Sequence, residues 1–230
     1  MEEANALCKI LHFRHDIGDG LRCGVLFYYC HRDCHAVCCP DPLMKQAGLY
    51  DENGTLHRFT AKTLGKYLEE ERLYCATKPL GITFLGREPL ENPRFCREAG
   101  IEISRLGMSL QINTCAITQK ESFAKMLGIC DLFNVRFFLP VAIHHPAFSH
   151  YPVKRVMDNL RFLDAHHAPF RITIPVIKDV NENAAVAIAS FLSSFSSLAS
   201  VILDFDGSSL DMDAQSEYRT AFLKRKIPLY

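Results

Sequence analysis

The chain carries no surplus of either charge: 26 Lys and Arg stand against 26 Asp and Glu among 230 residues. Without a basic excess to displace counterions from phosphates, no nucleic acid is expected as a partner. No apolar run reaches the roughly 18 residues that a membrane span needs, so no membrane partner is expected either. The opening Met1-Glu2-Glu3 is acidic and lacks the pattern of a secretory signal. A cytoplasmic location is the resulting expectation. There is no low-complexity tract and no solenoid-like repeat. A Gly-rich dinucleotide fingerprint is missing after the first strand-like stretch. Hydrophobic residues make up 48% and charged residues 23%. That balance suits a single folded domain over residues 1–230 rather than a disordered chain.

Cysteine, by contrast, is abundant. The ten are Cys8, Cys23, Cys30, Cys34, Cys38, Cys39, Cys75, Cys96, Cys115 and Cys130. In a reducing compartment a disulfide framework is a poor explanation. Scattered cysteines act as small core hydrophobes. Four between positions 30 and 39 do not fit that account, and ligation of a metal or cluster is the first hypothesis. Zinc prefers separated ligand pairs, whereas iron–sulfur clusters accept several thiolates from one tight run. A cysteine-rich loop without a ligand is the alternative, and a zinc-binding interaction protein is a third reading.

Strand-like and helix-like stretches alternate along the chain. Leu7 to Phe13, Leu21 to Tyr28, Leu80 to Leu85, Ser109 to Asn113, Leu132 to Leu139, Phe170 to Ile177 and Val201 to Phe205 read as strands. Helices are expected over Ala61 to Glu71, Pro93 to Leu106, Lys120 to Leu127, Val153 to Ala165, Glu182 to Phe195 and Asp213 to Lys224. Ile227 to Tyr230 is a further strand candidate. About six β/α units result, which argues for parallel strands joined by crossover helices. Eight units would close a full barrel, and the chain is too short for eight. A partial, open barrel of six units is preferred over an open doubly wound sheet. Function is then expected on loops after the C-terminal ends of strands. Two segments lie there: Cys30-His31-Arg32-Asp33-Cys34-His35-Ala36-Val37-Cys38-Cys39-Pro40-Asp41-Pro42, and Gly81-Ile82-Thr83-Phe84-Leu85-Gly86-Arg87-Glu88-Pro89-Leu90. A carboxylate at a strand's C-terminal end can bind an amino group. The second segment taken alone is equally an ordinary β-to-α turn.

Together, in this order, the two segments resemble the radical S-adenosylmethionine superfamily. The particular likeness is to activating enzymes of glycyl radical enzymes, the pyruvate formate-lyase activase group. Gly18, Gly20, Leu21-Arg22 and Val25-Leu26-Phe27 are similar to the family's approach to its cysteine loop. Thr83 to Leu90 looks like its Gly-Gly-Glu-Pro segment, and Leu110 to Cys115 like its next strand. Ile172 to Ile177 followed by Asn181 looks like a later strand and loop. The resemblance implies an α/β fold, a partial (β/α)6 barrel. It implies a [4Fe–4S] cluster on Cys30, Cys34 and Cys39, with Cys38 as the alternative third ligand. S-adenosylmethionine would be held with help from Gly86, Glu88, Thr114 and Asp41. The partners implied are a glycyl radical enzyme as protein substrate and an electron donor such as flavodoxin or ferredoxin.

The chain departs from the family pattern in places. The family spacing is CxxxCxxC, but three residues after Cys34 comes Val37. Choosing Cys39 aligns Cys39-Pro40-Asp41-Pro42 with the family's Cys-His-Asn-Pro. Arg87 replaces the second glycine of the turn, and Arg136-Phe137-Phe138 stands where the family has Asp-x-Lys. A later cofactor-contacting histidine falls at Asp206. An inward Arg87 would repel the cofactor's sulfonium and ammonium, whereas an outward one would leave the turn usable. The expectation is weakened binding that Arg87→Gly tightens. A catalytically lapsed relative acting as a binding or regulatory protein is the alternative function. His144-His145 and His166-His167 read as solvated loop residues, and Asp211 or Asp213 as a helix cap within the acidic Asp204 to Asp213 stretch.

Overall fold

A computed structural model describes residues 5–16, 20–27, 57–74, 81–137, 152–205 and 211–230. Contacts divide the chain into two compact units. One comprises Met1–Thr114 and Thr118–Leu132; the other comprises Cys115–Ile117 and Phe133–Tyr230. Cys30, Cys34, Cys38, Cys39, Asp41, His144, His145 and Asp206 lie outside the described residues.

In the first unit, β1 (Asn5–Asp16) and β2 (Gly20–Phe27) pair antiparallel, from Cys8 opposite Phe27 to Asp16 opposite Gly20, with an irregularity between Leu11 and Arg14. A three-residue connection cannot carry a crossover, so the pair has to be antiparallel. β3 (His57–Thr60), absent from the sequence-based expectation, adds antiparallel along the other side of β1. From β2 onward the sense is parallel, through β4 (Gly81–Gly86) and β5 (Ser109–Thr114).

Helix α1 (Ala61–Tyr74) begins with a reciprocal pair of bonds. The Thr60 amide donates to the Thr63 hydroxyl at 2.9 Å, and the Thr63 amide donates to Thr60 Oγ1 at 3.3 Å. Two otherwise orphaned amides are thereby satisfied. Leu64 and Leu68 are fully buried, as their spacing predicts. Helix α2 (Pro93–Arg105) starts at the expected proline. It closes when Gly107 turns left-handed, so that its amide reaches Ser104 O and the Met108 amide reaches Ile103 O. Helix α3 is shorter than expected, Lys120–Ala124, and continues as hydrogen-bonded turns.

The second unit repeats the same logic. Strands β6 (Leu132–Arg136), β7 (Phe170–Val176) and β8 (Leu198–Phe205) run parallel. They are joined by α4 (Val153–Ala165) and α5 (Ala185–Leu192), and α6 (Met212–Lys224) follows β8. The strand expected at Ile227 to Tyr230 is a single bridge, Val201 to Leu229. Helix α5 starts three residues later than its apolar pattern suggests. The turn before it is held by Asn181, whose Nδ2 donates to Pro175 O and whose Oδ1 accepts the Ile177 amide. The six strands with a parallel neighbour are thus β2, β4 and β5 in one unit and β6, β7 and β8 in the other, which matches the six-unit expectation.

Each unit's parallel strands have one apolar and one polar face. Cys23, Val25, Phe27, Ile82, Phe84, Leu110 and Ile112 form the apolar face of the first, all at most 1% exposed. Phe133, Val135, Phe170, Ile172, Ile174, Val176 and Val201 do so in the second, all fully buried. Each contributes roughly 1.5–3 kcal/mol by leaving water. The opposite faces carry Arg22, Thr83, Ser109 and Gln111 in one unit, and Asn134, Arg136, Arg171, Thr173, Ser200 and Asp204 in the other. At the strand beginnings those faces are filled by arginine. Arg22 donates to Thr83 Oγ1 (3.0 Å), Ser109 Oγ (2.9 Å) and Ile82 O (2.6 Å). Gly81 makes room for it, since a Cβ there would lie 2.7 Å from Arg22 Nη2 and 2.3 Å from Ser109 O. Arg171 donates to Ser200 Oγ and lies 4.5 Å from the ring centre of Tyr230. With those ends occupied, ligand chemistry is expected at the C-terminal ends of the strands.

Candidate functional site

The apolar run Gly81-Ile82-Thr83-Phe84-Leu85 extends β4 through the interior and delivers Gly86, Arg87 and Glu88 at its C-terminal end. Gly86 has φ of +103°, and a Cβ on it would meet Phe27 O at 2.5 Å. The next amide, Arg87 N–H, donates to that same Phe27 oxygen at 3.0 Å. The close approach that requires glycine at 86 is therefore to β2. Arg87 is exposed, and its φ is not left-handed, so the backbone at 87 accommodates a side chain.

Glu88 turns the other way. It is 1% exposed and caps the short 3-10 helix Pro89–Glu91, its Oε1 accepting the Leu90 amide at 3.3 Å. The Thr114 hydroxyl, at the end of β5, donates across to both carboxylate oxygens at 2.8 and 2.9 Å. Thr114 is itself 3% exposed. Burying a carboxylate is costly unless donors hold it. A hydroxyl and an amide are among the groups that fix its orientation here. A carboxylate so fixed at the mouth of parallel strands suits a primary ammonium, and so fits the amino acid portion of S-adenosylmethionine. The structure brings Glu88 and Thr114, 26 residues apart in sequence, into direct contact.

The remaining candidates sort by environment. Cys23, Cys96, Cys115 and Cys130 are buried free thiols. Cys96 Sγ donates to Pro89 O at 3.1 Å, and burial pushes the Cys130 thiol far above its ordinary range. These are core groups, not thiolate ligands. Among the described residues, no group of three or more His, Cys, Asp or Glu is placed to hold a metal. His166 and His167 are exposed and finish α4. His166 is its C-cap, and His167, at φ of +52°, occupies the left-handed position that closes the helix. Asp211 caps α6, accepting the Ala214 amide at 2.7 Å. No described helix is long and apolar enough to cross a membrane.

Two features escape a reading by residue pattern. Asp204, at the start of the acidic stretch, accepts from Arg136 Nη2 at 3.1 Å, and the pair spans 68 residues of sequence. Asn181, 2% exposed, pins the connection after β7, and the Tyr218 hydroxyl from α6 donates to its carbonyl. A polar residue repeatedly out of phase with an apolar strand, as at 134 and 136, was the available signal for the first.

No family model matches the chain. It is 35% identical over 106 residues to benzylsuccinate synthase activating enzyme of Thauera aromatica. That match takes in 46% of this chain and about a third (32%) of that relative's length. Among solved structures, a domain of pyruvate-formate lyase-activating enzyme from Bacteroides vulgatus superposes with a TM-score of 0.59 at 21% identity, over 65% of this chain and 97% of that one. A radical SAM methyltransferase from Sphaerobacter thermophilus gives 0.61 at 13% identity, over 99% and 76%. Streptococcus suis SuiB bound to S-adenosylmethionine gives 0.56 at 17% identity, over 74% and 42%. The fold is accordingly that of radical SAM proteins, and the chain is similar in sequence to an activating enzyme.

Proposed function

We propose that the chain is a radical S-adenosylmethionine activase that generates a glycyl radical on a partner enzyme. The observation that carries the reading is the buried Glu88 carboxylate, held by Thr114 at the C-terminal ends of β4 and β5. The radical SAM fold and the partial match to an activating enzyme support it. Cys30, Cys34 and Cys39 would hold a [4Fe–4S] cluster, with Cys38 as the alternative third ligand, and Asp41 would lie beside the cofactor. With an electron from a flavodoxin or ferredoxin, the cluster and cofactor would supply reductive cleavage of the sulfonium and, through it, removal of a hydrogen atom from a glycine Cα of the partner, leaving methionine and 5′-deoxyadenosine.

The chain's own residues do the positioning. Glu88 accepts the methionine ammonium, and Thr114 together with the Leu90 amide keeps that carboxylate aimed. Gly86 lets the turn close against β2, which sets where Glu88 begins. The exposure of Arg87 supports the enzyme over the lapsed relative, on the reading that its guanidinium leaves the cofactor's place open.

The test is anaerobic reconstitution with iron and sulfide, followed by a strong reductant and S-adenosylmethionine. 5′-Deoxyadenosine and methionine are expected in equal amounts; a fully reconstituted cluster without either product counts against the reading. Glu88→Gln keeps the shape and the Thr114 contact but loses the charge. A charge-assisted hydrogen bond contributes about 1.5–3 kcal/mol, so calorimetry should find S-adenosylmethionine bound on the order of tenfold more weakly. Equal affinity would make Glu88 a turn residue only. Arg87→Gly, an exposed substitution, should change that affinity by no more than about threefold. A larger change in the same titration would place the guanidinium at the ligand.

A further inference from the structure

We propose that Asn159 is a positioning residue for the Glu88 site, acting through Ala116 on Thr114; the assignment rests on the activase reading above, in which Glu88 receives the cofactor's ammonium. Asn159 lies on the buried stripe of α4, three residues after Val156 and four before Leu163. It is 2% exposed. An apolar side chain would continue that stripe, and taking an amide out of water is costly unless it is hydrogen-bonded. Asn159 Nδ2 donates to Ala116 O at 2.9 Å. One turn earlier on the same helix, Arg155 Nη1 reaches the next carbonyl, Ile117 O, at 3.5 Å. Cys115–Ile117 and α4 belong to the same compact unit, so this grip is internal to it.

The gripped segment is strained. Ala116 is fully buried and has φ of +54°, a left-handed conformation that a Cβ disfavours. A residue keeps such a conformation only where its surroundings over-determine the backbone. The bond from Asn159 to the Ala116 carbonyl is one such determinant. Return of Ala116 to a right-handed conformation would redirect the chain on its N-terminal side, where Thr114 stands two residues away. The Thr114 hydroxyl donates to the Glu88 carboxylate at 2.8 and 2.9 Å, and hydrogen bonds weaken steeply as distance and angle are lost. A small displacement at the end of β5 is therefore enough to loosen the carboxylate. Asn159 touches neither Glu88 nor the ligand in this scheme; it fixes the backbone from which Thr114 reaches.

The test is calorimetric titration of S-adenosylmethionine into anaerobically reconstituted protein, with urea unfolding and iron content measured on the same samples. Asn159→Leu keeps the volume and continues the apolar stripe but removes the donor. It should bind S-adenosylmethionine roughly tenfold more weakly, with iron content as in the wild type. Glycine adopts the left-handed conformation without strain. In Asn159→Leu/Ala116→Gly the affinity should therefore return to within about threefold of the wild type. That rescue isolates the bond to Ala116 from every other contact of Asn159. A merely structural role would lower the urea midpoint and leave the affinity of the folded protein unmoved. Where Asn159→Leu does not fold, Asn159→Ser, too short to reach the carbonyl, carries the same two expectations. Unchanged affinity in the folded single variant overturns the inference, and so does a weakened affinity that Ala116→Gly fails to restore. Absence of S-adenosylmethionine binding in the wild type defeats the activase reading and this assignment with it. Binding by the wild type with either of the two failures above defeats this assignment alone.

Discussion

Alanine at Cys30 or Cys34 is expected to leave the anaerobically reconstituted protein without iron–sulfur absorption and without bound iron. Each would supply one of only three thiolates, and a site-differentiated cluster cannot be held by two. Cys39→Ala should lose more iron than Cys38→Ala; the reverse order would move the third ligand to Cys38. Cys96→Ala and Cys130→Ala serve as internal controls. Both thiols are buried and hydrogen-bonded to carbonyls, Cys96 to Pro89 and Cys130 to Leu132. Burial holds Cys130 protonated, so it has no thiolate to offer. Those two variants should keep their iron. Unchanged iron in both Cys30→Ala and Cys34→Ala would overturn the ligand assignment.

The same contrast separates what the sequence discloses from what it hides. Apolar periodicity located Val153–Ala165 to the residue, because Pro152 and the His166-His167 end bound a strong amphipathic stripe. It located Ser109–Thr114 and Gly81–Gly86 to within one residue at each end. Periodicity carries no information on strand direction, which is why the antiparallel β1–β2 pair was read as part of a run of β/α units. The expected strands, Leu7 to Phe13 and Leu21 to Tyr28, left only residues 14–20 between them, already too few for a crossover. β3 was missed because four residues, His57 to Thr60, give too short an alternation to register. They acquire strand conformation by pairing with β1, a contact some fifty residues away.

At the site, Glu88 and Thr114 were each legible through a resemblance, but their contact was not. It depends on β4 and β5 lying parallel and adjacent, with Thr83 beside Gln111 and Phe84 beside Ile112. Arg136 and Asp204 show the opposite failure. Each was visible only as a departure or as part of an acidic stretch, and their pairing across β7 is a property of the sheet alone. Gly86 was expected, through the resemblance, to help hold the cofactor, and the close approach present in the fold is to Phe27.

That finding makes Gly86→Ala the sharpest test of how the turn is built. Two costs coincide at this residue. A φ of +103° is a region that an L side chain rarely adopts, and a Cβ would stand 2.5 Å from Phe27 O and 2.8 Å from Leu26 Cδ1. The Leu26 methyl can swing away, but the Phe27 carbonyl is backbone in β2 and accepts the Arg87 amide. Relief requires parting β2 from the end of β4, breaking that bond and moving Glu88 two residues on. The combined penalty should be about 2–4 kcal/mol. Gly107→Ala isolates the conformational part, since Gly107 has φ of +70° with nothing within 4 Å of a built Cβ. It should cost only about 1 kcal/mol. Urea unfolding of the two variants beside the wild type measures the difference. Gly86→Ala should also bind S-adenosylmethionine more weakly, while Gly107→Ala should not. Equal destabilisation by the two substitutions would mean that β2 yields freely at Phe27. The turn would then owe its glycine to something other than the strand beside it.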